Sequence, residues 1–122
     1  MPAWFAFLHD SQRHNDHLDP LHGQRAADFA VRLRHEGVIT ELSAREFEWL
    51  CEAMRLHSDG HTIAEVAIQV CWDADRLDLG RVGIEPMPSR LCTAPARDPL
   101  VIAEAIRLAT NAREAFAPMS LD

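Results

Sequence analysis

A chain of 122 residues, 48% hydrophobic and 25% charged, has room for one compact domain of ordinary globular composition, which excludes a multidomain enzyme and a disordered chain. Its net charge of −7 sets 19 acidic residues against 12 basic ones, all of them Arg. Such a surface repels a phosphate backbone and argues against nonspecific nucleic-acid binding.

Helical signals run along the chain. The apolar stretch from Trp4 to Leu8 predicts a short helix buried on most sides, ending near Ser11 to His14. It has no basic lead-in and is too short for a signal peptide or a membrane span. After a polar loop, Asp19 offers an N-cap with Pro20 at the first helical position, and Ala26, Ala27, Phe29, Ala30 and Leu33 supply an inward stripe until Gly37. Ser43 and Glu46 form a capping-box pair for a third helix carrying Phe47, Leu50, Cys51 and Met54 toward His57. The segment Ala64 to Leu79 is rich in β-branched residues, yet no second strand of comparable quality exists to pair with it, so helix is expected. Gly80, Gly83, Pro86 and Pro88 mark an irregular stretch. Asp98 and Pro99 then open a last helix running to about Phe116. The expected architecture is all-α, a single bundle of about five helices.

Cys51, Cys71 and Cys92 are odd in number and lack a Cys-x-x-Cys pair. They argue against a disulfide framework and a zinc ribbon, and read as free thiols in a reducing compartment. A cytoplasmic location without membrane partners is the expectation. The chemistry-bearing residues lie elsewhere: His9 beside Asp10 at the end of the first helix, His22 in the first turn of the second, His57 closing the third, and Asp73, Asp75 and Asp78 in an acidic stretch. Each sets an imidazole or carboxylate beside apolar neighbours, where an unpaired charge is costly and a cation would satisfy several groups at once. Imidazole nitrogen with carboxylate oxygen suits Mn, Fe, Ni, Zn or Mg.

The runs Phe7-Leu8-His9-Asp10-Ser11, Asn15-Asp16, Asp19-Pro20-Leu21-His22-Gly23 and Asp73-Ala74-Asp75-Arg76-Leu77-Asp78 resemble the metal-dependent HD-domain superfamily, in particular its small phosphohydrolase-like members. The resemblance extends from about Trp4 to about Arg97. It implies an all-helical HD-like domain in which His9 and Asp10 are the signature pair and Asp75, or Asp73 one register away, is a further ligand to a divalent metal. His22 and His57 sit where binuclear relatives such as HD-GYP phosphodiesterases place second-metal histidines. The alternative for these two is packing near a helix N-terminus and capping of a C-terminus. The family's first His precedes the His-Asp pair on its own helix, whereas no His lies among the eight residues before His9. By that pattern the domain is N-terminally incomplete, or a partner chain supplies the ligand, or the site is degenerate.

The function this resemblance implies is hydrolysis of a nucleotide or another small phosphate ester by a mononuclear or binuclear divalent-metal centre. Asp10 is a candidate proton acceptor, and Arg13 and Arg76 are candidates to stabilise charge on the phosphoryl group; a salt bridge to a nearby Asp is the other reading of Arg76. A di-iron oxygenase and a non-catalytic HD scaffold are the alternatives. The absence of the family's first helix would uncover Trp4, Phe5 and Phe7, so a homodimer through the face of the first helix is also expected.

Overall fold

The computed structural model describes residues 1–15 and 18–116. Asp16 and His17 lie outside the described residues. Among those described there are six α-helices, two 3-10 turns and no strand: α1 (Pro2–Leu8), α2 (His22–His35), α3 (Ala44–Leu56), α4 (Val66–Leu77), α5 (Ala94–Arg97) and α6 (Pro99–Phe116), with the 3-10 turns Asp78–Val82 and Pro88–Arg90 between α4 and α5. The all-α expectation holds. The chain divides into two compact units between Cys71 and Trp72, inside α4.

In the first unit α2 and α3 form the main packed pair, and α1 packs on α3. Pro2 occupies the first turn of α1, where its missing N–H costs nothing. Only Phe5 and Leu8 of this helix are buried, because seven residues make two turns and present one apolar face inward. Of the three aromatics expected to be uncovered, Phe5 is buried, Trp4 is half-buried with its Nε1–H donated to Glu41 Oε1 at 2.6 Å, and Phe7 is 82% exposed.

Helix α2 starts two residues later than the Asp19-Pro20 signal predicts. The Asp19 carboxylate is drawn into a salt bridge with Arg25 and accepts the His14 N–H, so it is unavailable as a cap, and Leu21 takes the N-cap position without a side-chain bond. The inward stripe is made of small residues, with Ala26, Ala27 and Ala30 buried and Phe29 and Leu33 half-buried. At the far end Gly37, at φ 79°, turns the chain out of the helix. The N–H groups of Gly37 and Val38 bond Arg34 O and Leu33 O, the pairing of a Schellman motif.

The capping box at α3 forms as its sequence predicts: Glu46 N–H donates to Ser43 Oγ at 3.1 Å and Ser43 N–H to Glu46 Oε1 at 2.9 Å. In α4 the buried residues Ile68, Cys71 and Trp72 recur at helical spacing, while the β-branched Val66 and Val70 lie exposed. The burial pattern therefore has the helical period despite the β-branching.

The second unit is organised around Leu91, Ala96 and Ile102, with Leu77 and Ile106 packed on them. Its irregular stretch contains the two 3-10 turns and the four-residue α5, elements too short for periodicity to reveal. Gly80 lets the first turn approach α6, since a Cβ there would stand 2.9 Å from Ala109 Cβ. Asp98 caps α6 by accepting the Leu100 N–H at 2.8 Å. No helix among the described residues is long and apolar enough to cross a membrane.

Candidate metal centre

Four side chains of the first unit converge at the ends of three helices. His9 follows the last residue of α1, Asp10 is next in the chain, His22 opens α2, and His57 is the C-cap of α3. Each imidazole is held by its own backbone. His9 Nδ1 lies 2.8 Å from Phe5 O, His22 Nδ1 2.6 Å from Asp19 O, and His57 Nδ1 2.7 Å from Met54 O. A carbonyl oxygen only accepts, so each Nδ1 carries the hydrogen, and each ring turns its Nε2 to the opposite side, where it donates if it carries a proton and offers a lone pair to a metal ion if it does not.

Those Nε2 atoms meet Asp10. Its Oδ2 is 3.3 Å from His9 Nε2, and its Oδ1 is 3.2 Å from His22 Nε2 and 3.4 Å from His57 Nε2. His22 Nε2 and His57 Nε2 stand only 2.8 Å apart. Two unprotonated acceptors at that separation repel, so a proton or a metal ion must lie between them. His9, Asp10 and His57 form a group whose donor atoms all fall within 4.8 Å of one another, close enough to hold a metal ion. A ligating His whose other ring nitrogen donates to a backbone carbonyl is the usual arrangement around a protein-bound metal, because it fixes both tautomer and ring orientation. The donor set therefore fits a divalent cation.

Aromatic packing aligns the rings further. Phe5 stacks on His9 with centroids 4.6 Å apart and meets the edge of His57, while His57 stands edge-on to both His9 and His22. His22 and His57 are buried, whereas the Asp10 side chain is 54% exposed and marks the side from which solvent reaches the cluster. With a proton on Nε2, the His57 ring first and then the His9 ring donate to Asp10 and, against the effect of burial, hold its carboxyl well below the usual carboxylate range. Such a group is a good cation ligand and a weak proton acceptor near neutral pH.

The remaining candidates fall in different places. Arg13 is half-buried beside the cluster, with Nη1 3.3 Å from His22 Nδ1. Asp75 lies half-buried on the second-unit part of α4, and the converging group is built from first-unit residues. Asp73 is buried and accepts hydrogen bonds from Cys92 N–H, Thr93 N–H and Thr93 Oγ1–H at 2.6, 3.0 and 2.7 Å. Arg76 is buried, its guanidinium over the Trp72 ring and its Nη1–H donated to Arg90 O at 2.8 Å. Both residues tie α4 to the segment before α5. The shallow apolar groove on α6 between Leu100 and Leu108 holds one ionisable group, Glu104, which is paired with Arg107.

Sequence reasoning missed the role of Asp19. Its main-chain oxygen orients His22, and its carboxylate fixes the loop that carries this oxygen through the His14 N–H and Arg25, which also bonds Gln12 O. The His14 N–H first, then Arg25, pull the Asp19 carboxyl below its ordinary value. A depressed carboxyl stabilises the fold at pH values above the unfolded-state pKa, roughly 4, and that contribution disappears as pH falls through the folded-state value. The thermal midpoint of the wild-type chain should thus drop more steeply with acidification than that of Asp19→Asn. Parallel curves for the two proteins in calorimetry from neutral to acid pH would contradict this.

Comparison of the chain with protein-family models, with curated proteins and with solved structures finds no match, so the function rests on the geometry of this cluster.

Proposed function

We propose that the protein is an HD-type, metal-dependent phosphohydrolase acting on a nucleotide or another small phosphate ester, with His9, Asp10, His22 and His57 as the ligands of one divalent ion. The observation that carries this reading is the convergence of three Nδ1-anchored imidazoles on one carboxylate. At metal–ligand distances of 2.0–2.2 Å, adjacent donors around a single ion stand roughly 3 Å apart in an octahedron and roughly 3.4 Å in a tetrahedron. The separations among Asp10 Oδ1, His22 Nε2 and His57 Nε2 run from 2.8 to 3.4 Å and His9 Nε2 is 3.3 Å from Asp10 Oδ2, while the donors of His9, Asp10 and His57 all lie within 4.8 Å of one another. That spacing, and the sharing of Asp10 Oδ1 by His22 and His57, favour one ion over the two that a di-iron oxygenase needs.

A divalent ion so held supplies Lewis acidity to a phosphoryl oxygen and lowers the pKa of a water. The chain's own residues do the rest. The buried rings of His22 and His57 close the inner side, so substrate approaches along the exposed flank of Asp10. Arg13, next to His22 on that part of the chain, offers a guanidinium fork that matches two phosphate oxygens and offsets the charge growing on them. Asp10 stays ionised and serves as ligand. Proton transfer then falls to solvent or to the substrate's own phosphate.

The test is a metal-stripped protein assayed against nucleoside phosphates and p-nitrophenyl phosphate with Mn, Fe, Ni, Zn or Mg restored singly. Hydrolysis should appear only with metal, and Arg13→Gln should lower kcat/KM by about 10–100-fold, as expected for loss of one preorganised charge contact, without lowering metal content. A protein that binds metal tightly yet hydrolyses none of these esters would support the non-catalytic scaffold instead.

A further inference from the structure

Gly23 sits beside His22 in the first turn of α2, where glycine is a poorer helix former than alanine. Its φ is not in the left-handed region, so the backbone conformation does not call for glycine. The space around it does. A Cβ on residue 23 would stand 2.3 Å from Met54 O, far inside van der Waals contact, and 3.1 Å from Arg55 O, both of them backbone atoms rather than the ends of flexible side chains. Met54 O is the same oxygen that accepts His57 Nδ1–H at 2.7 Å and thereby orients that ring.

We infer that Gly23 is a positioning residue of the metal centre: by letting α2 rest on Met54 O it sets the separation of His22 and His57 and so the affinity for the ion. The inference rests on the reading of the cluster as a metal site and goes beyond it to a residue that touches neither metal nor substrate. Gly23 is joined covalently to one ligand and packs against the carbonyl that holds another. A single methyl group at residue 23 therefore acts on both. It drives α2 from the end of α3, widening the 2.8 Å gap between the two Nε2 atoms, or it displaces Met54 O and turns His57 away from Asp10. Ala27 is also buried on α2 but lies one turn further from the cluster, which makes Ala27→Gly a control that weakens the helix without crowding the ligands.

The experiment titrates the full chain with Co²⁺ alone, following visible absorption and heat. Gly23→Ala should weaken Co²⁺ binding at least ~10-fold, the size of effect typical for groups that orient metal ligands, and should change the d–d spectrum. Ala27→Gly should lose thermal stability while keeping affinity within about two-fold, as a change away from the ligands does. In the His57→Ala background, adding Gly23→Ala should cost less than it does in wild type, because one of its two routes is already gone. Wild-type affinity and spectrum in a folded Gly23→Ala protein overturn the inference and leave the metal reading standing, whereas failure of the wild-type chain to bind Co²⁺ removes both. Should Gly23→Ala fail to fold, NMR of the wild-type chain decides: on Zn²⁺ titration the Gly23 α-proton and Met54 carbonyl resonances must shift with those of the His57 ring, and resonances that stay still overturn the inference.

Discussion

His57→Ala is expected to leave the purified protein without the metal ion proposed for the cluster. The substitution removes one of four converging donors and the partner of the 2.8 Å contact with His22, so affinity should fall by at least ~100-fold, more than the 10–100-fold seen when only an orienting group is lost. Elemental analysis of wild type and variant purified side by side reads the effect. A one-ion centre predicts loss of essentially all metal, and a two-ion centre predicts loss of about half. Folding should suffer little, because the deleted ring takes with it one hydrogen bond to Met54 O, worth about 0.5–1.5 kcal/mol. His35→Ala, at an exposed position in the last turn of α2, should keep its metal.

Asp73→Ala should have the largest effect on stability. The carboxylate is buried and satisfies two backbone N–H groups and one hydroxyl at the entry to α5. Deleting it orphans three donors. Each buried, unpaired donor costs about 1–3 kcal/mol, and partial hydration of the opened site brings the expected total to about 3–5 kcal/mol. For a chain of this size that is a fall in Tm of roughly 10–20 °C, measurable by calorimetry. Metal content measured at low temperature, where the variant stays folded, separates the two readings of this residue. Unchanged metal fits a structural carboxylate, and loss of metal would make Asp73 a ligand.

Much of the fold could be read directly from local signals. Ser43 with Glu46 and Asp98 with Pro99 specify helix starts through bonds made within three residues, so nothing distant can reassign them. Asp19 with Pro20 carries the same kind of signal and misleads, because Arg25, one turn into α2, captures the carboxylate. The competition between a backbone N–H and a guanidinium for one carboxylate is settled by tertiary geometry, which a linear pattern does not contain. The short elements between Leu77 and Pro99 were hidden for another reason: three to five residues are fewer than two turns of any helix.

The candidate site divides in the same way. His9, Asp10, His22 and His57 stand out as polar groups at the ends of apolar helices, and the structure brings these four together. The orienting carbonyls of Phe5, Asp19 and Met54 have no sequence signature, because every residue has a carbonyl. Gly23 offered one clue, a glycine inside the first turn of a helix that continues with small residues. The clue acquires meaning only once Met54 O is known to lie against it.

The imidazoles of His9 and His57 are also the last links of their own helices, each bonding a carbonyl of the final turn. Each ring adds a second donor to a carbonyl that also receives the main-chain N–H of the same histidine, His9 N–H to Phe5 O at 3.0 Å and His57 N–H to Met54 O at 3.5 Å. The rings have thus surrendered their rotational freedom before any ion arrives, and its capture need order almost nothing further. Such a centre should load quickly and with little change of shape, and an ion leaving it exposes no unsatisfied backbone. An ion bound there would exchange for another while the chain stays folded, so the metal available around it, more than any remodelling of the protein, would decide which ion the cluster holds.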